Sequence, residues 1–463
     1  MASPNGTHRV DPLYGKKVAV LGFARQGKAL ARWLPTVGAS VLVSDQRPPE
    51  NMASEISDFP DIEFILGGHP ESLLDGVDLL CLSGGVSLDL PIVQEALKHR
   101  IPLSNDAQLF LERCPAPVIG ITGSAGKTTT TTLTGEIMKQ SGRTTWVGGN
   151  IGDVLLDVLE QIEPEHCVVI ELSSFQLELM TTSPQTGAIL NITPNHLDRH
   201  GTMEAYIRAK AQIILHQSSN EVAVLGWDDA NAHALSEVVQ GELCWFSAQT
   251  MVSDGAFQAG QRLLVSGRAS SNGEPRVVCS RDERPLRGDH NVLNVLAACA
   301  LTGVNGVDPA VMESTIRSFH TVTHRLEVIR VVGGVTYIND SIATAPERVV
   351  AALRSFTEPL VLLAGGKDKK IPWEDMIRLA LTRCRHIIAF GDAGDLVVQM
   401  VEQIAGDKAA VTRVTTLDEA VSRAASLAQP GDVVLLSPGG TSYDAYLDFA
   451  ERGEHFRQLV MAL

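Results

Sequence analysis

Short apolar runs recur along the chain, and most are followed by a glycine-, serine- or asparagine-rich break and a stretch with helical spacing. In the first hundred residues the runs are Val18–Leu21, Ser40–Ser44 and Leu79–Ser83. Val118–Ile121, His166–Leu172 and Ala188–Ile192 follow, then Val222–Leu225 and Leu263–Val265. The last set is Val335–Ile338, Leu360–Leu363, His386–Phe390 and Val433–Leu436. Runs this short and continuously apolar predict strands buried on both faces of parallel sheets, with the helices as crossovers. Helices are expected over Lys28–Val37, stopped by Gly38, from the loop after Ile121 to Ser141-Gly142, and over Met203–His216. A further helix follows the polar loop that begins at Asn339, and the close of the chain is helix-rich. The stretch 217–285 is less legible, with a turn at Ser270–Gly273, and no repeat or low-complexity tract appears. The class is α/β.

The breaks carry the chemistry. Val118–Leu133 reads VIGITGSAGKTTTTTL: a strand turning through glycines into a helix start, which presents backbone N–H groups and the positive helix end to an anion. Gly123, Ser124, Ala125, Gly126, Lys127, Thr128 and Thr129 form that loop. Lys127 supplies a point charge for outer phosphates, and the Thr128 hydroxyl is placed to hold a magnesium ion. Strict spacing of the phosphate-loop motif would put glycine at Ile121; the G-K-T core is intact. Glu171 ends the run VVIE beside this loop and is a natural magnesium ligand. Trp146–Gly152 reads as a polar loop whose Asn150 is within reach of a substrate. In NITPNHLDRH the candidates are His196 and Asp198, although a lone histidine is more often packed or solvated. Lys210 lies on the 203–216 helix, where a lysine normally reaches into water. Asn291 and Asn294 share a helix face, with Asn291 favoured as a cap.

The first segment opens with Gly22-Phe-Ala-Arg-Gln-Gly27 between two strands, and Asp45 stands at the end of the second. This is a βαβ nucleotide-binding start with Ala24 in place of the second glycine, compatible with a dinucleotide, a uridine nucleotide or a plain tight turn. Ser83-Gly84-Gly85-Val86 is another loop at a strand end.

Length and composition narrow the picture. At 463 residues about three domains are expected, and a formal charge of −16 argues against nucleic acid or an anionic membrane as the main partner. Seven cysteines without a CxxC pair suggest reduced thiols in a cytoplasmic protein. No apolar run reaches the length of a membrane span, the first residues do not read as a signal peptide, and the Asn5 sequon is taken as without meaning.

Taken in order, GITGSAGKTT, GGNIG, ELSSFQLE, NITPNHLDRH, AYIRAK, GDHNVLN, HRLEV and NDSIATAPE resemble the motifs of the Mur ligases, ATP-dependent amide-forming enzymes of peptidoglycan precursor synthesis. The resemblance runs nearly the whole chain. It implies a Rossmann-like UDP-binding domain over residues 1–107, a central P-loop-type ATPase domain with a mostly parallel sheet over 108–321, and a Rossmann-like amino-acid-binding domain over 322–463. Within the family it points to the member that joins D-glutamate to UDP-N-acetylmuramoyl-L-alanine. Asp45 and Arg47 in the first domain and the closing SPGGTSYDAYLDFAERGEHF carry that choice, and a DNPR-type signature is absent.

The resemblance also implies roles. Gly123–Thr129 would bind the ATP phosphates, with Thr128 and Glu171 on one magnesium ion. His196 and a carbamylated Lys210 would hold a second. Asn291 and Asn294 would contact adenine, and Arg325 and Asp340 the nucleotide. Phe23, Ala24, Asp45, Arg47, Gly85 and Asn150 would meet the UDP-sugar peptide, and Thr344, Lys369, Ser442 and Phe449 would hold D-glutamate. A monomer without membrane insertion is expected. Ile342 and Ala345 depart from the family's DSKxTN, Ser83-Gly84-Gly85 from Ser-Pro-Gly, and Ala125 from asparagine. The alternatives are the L-alanine-adding member, a NAD-linked oxidoreductase built on Gly22–Asp45, and a P-loop ATPase that forms no amide. Folylpolyglutamate synthetase shares the ATP core but lacks a UDP-binding first domain.

Overall fold

A computed structural model of the chain describes residues 10–152, 154–283, 289–319, 324–356, 358–406 and 410–463, without the side chains of Asp198 and Asp282. The candidate Asp198 side chain and the expected 321/322 boundary therefore lie outside the described residues. Three sheets account for the strands, and the chain forms two compact units. Residues 1–281 and 293–316 make the first; residues 282–292 and 317–463 make the second.

The first sheet contains β1 (Lys17–Leu21), β2 (Ser40–Asp45), β3 (Glu63–Leu66), β4 (Leu79–Leu82) and β5 (Leu103–Ser104) in the order β3-β2-β1-β4-β5. All pairs are parallel. The outward run from β1 in both directions creates a switch point at its carboxyl end, where such folds bind ligands. The helix after β1 spans Arg25–Thr36, so it starts three residues earlier than the hydrophobic spacing predicts. Its first turn absorbs half of the expected loop. Gly27 is required there, because a Cβ at that position would lie 1.9 Å from the Gly22 carbonyl oxygen.

The second sheet holds β6 (Val118–Thr122), β7 (Thr145–Gly149), β8 (Cys167–Glu171), β9 (Thr186–Ile189), β10 (Val222–Gly226), β11 (Glu242–Ser247), β12 (Gly255–Ala259), β13 (Arg262–Gly267) and β14 (Gly273–Ser280). The order is β14-β13-β12-β11-β10-β9-β6-β8-β7, parallel from β7 to β12 and antiparallel beyond. Residues 146–149, read from sequence as loop, are the edge strand β7: Trp146 and Val147 pair with Val168 and Val169, and only Asn150 onward leaves the sheet. The less legible stretch 217–285 contains β10 to β14 over residues 222–280, with β10 and β13 at the two short runs expected there. One apolar cluster joins Phe23, Leu30 and Trp33 of the first sheet's layer to Phe110, Leu155 and Leu159 of the second's, so both sheets belong to one unit.

In the second unit, β15 (Glu327–Val332), β16 (Val335–Asn339), β17 (Leu360–Gly365), β18 (Cys384–Phe390), β19 (Val411–Arg413) and β20 (Val433–Gly439) follow the order β15-β16-β20-β17-β18-β19. Among the described residues only the β15–β16 pair of these strands is antiparallel. β20 runs three residues past the expected stretch Val433–Leu436, through Ser437-Pro-Gly439. Among the described residues no helix is long and apolar enough to cross a membrane.

Candidate active site

The phosphate loop leaves β6 at the middle of the second sheet, and Glu171 ends β8 beside it. Gly126 caps the helix Lys127–Gln140 with φ +84, a left-handed geometry that glycine adopts without strain. A Cβ on Gly126 would come within 2.2 Å of Asn294 Oδ1, so the missing side chain also admits Asn294. That asparagine accepts from Thr130 Oγ1 at 3.4 Å and is buried, as is Asn291. Asn291 is the third residue of the helix Asp289–Val304 and is not its cap.

Asn191, which the sequence reading passed over, clamps the loop. Its Oδ1 accepts from the Ala125 amide at 2.8 Å, its Nδ2 donates to the Ala125 carbonyl at 3.1 Å, and its own carbonyl accepts from the Ser124 amide. This backbone clamp does not depend on the residue-125 side chain, which explains how alanine is accommodated there. The Ser124 hydroxyl lies 3.0 Å from the Tyr206 hydroxyl and donates to the Thr193 carbonyl.

Thr128 Oγ1 donates to Glu171 Oε2 at 2.9 Å, and Asn150 Nδ2 donates to Oε1 at 2.8 Å. Lys127 Nζ donates to the Gly123 carbonyl at 2.8 Å. Lys210 is 1 % exposed, which overturns the solvated reading of that lysine. It faces inward from the helix Met203–Leu215, donates to Gly123 O at 3.0 Å and Thr122 Oγ1 at 3.2 Å, and lies 4.9 Å from the Tyr206 ring centre. Burial pushes its pKa well down, Lys127 pushes the same way, and Glu171 opposes them. His196 is exposed, in a left-handed conformation, with its ring edge-on to Phe175 at 5.2 Å. Among the described residues no three His, Cys, Asp or Glu side chains gather as a metal cluster. Thr128 and Glu171 offer hard oxygen donors of the kind magnesium takes together with phosphate oxygens.

At the switch point of the first sheet, Asp45 Oδ2 accepts from the Phe23 amide at 2.7 Å and Oδ1 from the Arg47 amide and Nε. Burial works to raise the Asp45 pKa, but Arg47 and the two amides outweigh it and hold the carboxyl below its ordinary value. Phe23 itself is fully buried between Phe59 and Phe64, each 5.0 Å away, so its ring serves the core and its amide serves to hold Asp45. Ala24 is exposed at the helix start. Gln46, Gly67, Gly68 and His69 line an open depression beside Asp45, and the sequence reading named none of them. A second, narrow cleft is lined by Ser83, Gly84, Asn105, Gln176, Glu178 and Arg199. Arg199 donates to the Gly85 carbonyl at 3.3 Å and stacks on Phe175.

In the second unit, Asp340 follows β16 and is buried; burial raises its pKa to about 7, against a hydrogen bond from Ser437 Oγ at 2.8 Å. Its Oδ1 accepts from the Leu326 amide, and the neighbouring Arg325 guanidinium favours the charged form. Lys369 Nζ donates to Thr344 Oγ1 at 3.3 Å, and burial, with Arg348, lowers its pKa. Ser442 is buried in the turn before the helix Phe449–Met461, which Phe449 begins. The buried Arg452 ties these loops together. It donates to Ser341 Oγ and O, to Thr441 O and to Gly440 O, while Ser341 Oγ donates to Phe449 O at 2.8 Å.

Family comparisons agree along the chain. Residues 16–104 match the Mur ligase MurD-like N-terminal domain, 121–302 the Mur ligase middle domain and 324–440 the Mur ligase glutamate ligase domain. The UDP-N-acetylmuramoylalanine--D-glutamate ligase of Pelotomaculum thermopropionicum is 39% identical over 97% of this chain and 98% of its own length. That of Alkaliphilus oremlandii is 37% identical over 97% and 98%. Among solved structures, the UDP-N-acetylmuramate-alanine ligase of Thermotoga maritima shares the fold, with a TM-score of 0.58 at 20% identity over 96% of this chain and 99% of its own. The pseudomurein peptide ligase type C of Methanothermus fervidus gives 0.56 at 19% over 96% and 99%. The chain belongs to the Mur ligase family and is an ATP-dependent, amide-forming ligase.

Proposed function

We propose that the enzyme joins D-glutamate to UDP-N-acetylmuramoyl-L-alanine in peptidoglycan precursor synthesis, acting as a cytoplasmic monomer organised as domains 1–107, 108–321 and 322–463. The relatives that bear this activity in their names match it from end to end, which supports the choice of substrates. The observation that carries the chemistry is the convergence of Thr128, Glu171 and Lys210 on the phosphate loop.

In this reading the loop amides of Gly123–Thr129 and Lys127 bind the ATP phosphates, and Asn291, Asn294, Arg325 and Asp340 bind the rest of the nucleotide. The UDP end lies along Phe23, Ala24, Asp45, Arg47 and Gly85, with Asn150 toward the sugar. Magnesium would be held by Thr128 and Glu171, and a second ion by His196 and carbamylated Lys210. Bound there, the ions screen the approach of two anions. Lys210 fits its part: an ammonium repels a metal, but an amine whose pKa is driven down by burial is the form that adds carbon dioxide, releasing one proton and leaving a carbamate.

The substrate carboxylate attacks the γ-phosphorus of ATP, the bond to ADP breaks, and an acyl phosphate results. The D-glutamate amine, in a subsite formed by Thr344, Lys369, Ser442 and Phe449, attacks the acyl carbon. The tetrahedral intermediate expels phosphate and the amine loses a proton. Lys369 is a cation suited to a substrate carboxylate, and its lowered pKa follows from burial with Arg348 nearby. The test is isotopic: substrate labelled with ¹⁸O in its carboxylate should yield phosphate carrying one labelled oxygen. Unlabelled phosphate would exclude the acyl phosphate.

A further inference from the structure

Arg25 belongs to the glycine loop of the first sheet, at the first position of the helix Arg25–Thr36. A cation there suggests an anion ligand, yet its guanidinium points elsewhere. Nη1 donates to the Gly152 carbonyl, and Nη2 donates to the carbonyls of Gly149 at 3.1 Å and Asn150 at 3.0 Å. Three carbonyls of one tight turn thus converge on one planar fork, a geometry that a single ammonium cannot reproduce.

That turn sets Glu171. The Asn150 amide donates to the Glu171 carbonyl at 2.8 Å, and the Asn150 side chain donates to Glu171 Oε1 at 2.8 Å. Gly149 has φ +101, and a Cβ on it would lie 2.5 Å from the Glu171 carbonyl oxygen, so the turn is packed directly on the end of β8. Glu171 Oε2 then accepts from Thr128 at 2.9 Å. An unbroken chain of short polar contacts runs from the first-domain nucleotide loop, through the Gly149–Gly152 turn, to the carboxylate beside the phosphate loop.

A second arginine of the same helix provides a built-in comparison. Arg32 Nε and Nη2 meet both carboxylate oxygens of Asp157, at 2.9 and 2.7 Å. This pair also fastens the first sheet's layer to the second's, but its partner Asp157 lies in the 3-10 helix Leu155–Gln161, beyond the Gly149–Gly152 turn. Simple fastening is therefore already supplied, and what Arg25 adds is control of the turn that carries Asn150.

We propose that Arg25 is a positioning residue: by holding the Gly149–Gly152 turn it fixes Asn150, and through Asn150 it orients the Glu171 carboxylate for the metal–nucleotide. The proposal rests on the reading of Glu171 as a magnesium ligand. Residues that orient a ligand from behind typically change metal affinity by about 10–100-fold when removed.

The test uses the full-length chain and its Arg25→Ala, Arg25→Lys, Arg32→Ala and Glu171→Gln variants. Two quantities are read: amide hydrogen exchange at Asn150 without ligand, and the magnesium concentration that half-saturates ADP binding in calorimetry. Both Arg25 variants should exchange faster at Asn150 and need about tenfold more magnesium. Lysine should not rescue, and Arg32→Ala should match the wild type in both. Wild-type magnesium dependence in Arg25→Ala beside a shifted one in Glu171→Gln overturns this proposal alone. Equal shifts in Arg25→Ala and Arg32→Ala reduce Arg25 to a fastener and overturn it as well. Unchanged dependence in Glu171→Gln overturns the reading of Glu171 itself, and the proposal with it.

Discussion

Thr128 Oγ1 and Glu171 Oε2 lie 2.9 Å apart, so the hydroxyl of the first helical turn after the phosphate loop is bonded to the carboxylate at the tip of the neighbouring strand. The parallel pairing of β6 and β8, which sets Ile121 opposite Glu171, produces that contact. Glu171→Gln keeps the size and can still accept from Thr128, but it removes the charge. Phosphate release should fall by about 100-fold or more, as when one preorganised electrostatic group is removed from an active site. Steady-state kinetics at several magnesium concentrations checks this, and a loss smaller than threefold would contradict it.

Lys210 should be replaceable only by something that restores a carboxylate. Lys210→Ala is expected to be nearly inactive and to regain part of its turnover when short carboxylic acids are added. Carbon-13 NMR of the wild-type protein under labelled bicarbonate should show one carbamate signal that the variant lacks. Full turnover by Lys210→Ala would remove the carbamate from the account.

Gly126→Ala puts a Cβ where Asn294 Oδ1 now sits, in a backbone conformation with φ +84. The strain of a non-glycine residue there is about 1 kcal/mol, and the clash adds to it. Thermal unfolding should occur several degrees lower, and the affinity for ADP should fall more than the affinity for the UDP-substrate. A variant that loses both equally would mean that Asn294 and the loop are not parts of one nucleotide site.

Asp340 gives the second unit a pH dependence. Its pKa is raised by burial to about 7 in the folded chain, from an ordinary value of 3.8. The folded state therefore holds this proton more tightly than the unfolded state does. Its contribution to stability is intact below about pH 4, is lost as the pH rises, and is fully gone above about pH 7. Asp340→Asn cannot ionise, so its melting temperature should gain on the wild type between pH 4 and pH 8. Melting curves in matched buffers check the sign, and a gap that narrows with rising pH would contradict it.

The sequence made β1, β2, β4, β6, β8, β17, β18 and β20 legible because each is a largely apolar run, whereas the parallel strands β3, β5, β11, β12 and β19 gave no such run, and it made the phosphate loop legible because G-K-T after such a run has few other uses. β7 was missed because Thr145–Gly149 lies at a sheet edge, where two glycines dilute the apolar signal. Lys210 could not be read from periodicity, since the helix around it is apolar on more than one face and a buried lysine has the same spacing as a solvated one. In ELSSFQLE the spacing Ser173-x-x-Gln176 is a capping box, visible locally as a helix start, while the site use of Glu171 depends on a neighbouring strand. Asn191, Arg25 and Arg452 were invisible for a common reason: each acts by donating to or accepting from backbone groups far away in sequence.

The proposed reaction spends ATP on joining one particular amino acid to one particular carboxylate. Phosphate release should be measured with ATP, magnesium and UDP-N-acetylmuramoyl-L-alanine while the amino acid is varied. Release should require D-glutamate and should not occur with L-glutamate or L-alanine in its place. Release with L-alanine and the unsubstituted UDP-sugar, or release indifferent to any amino acid, would contradict this.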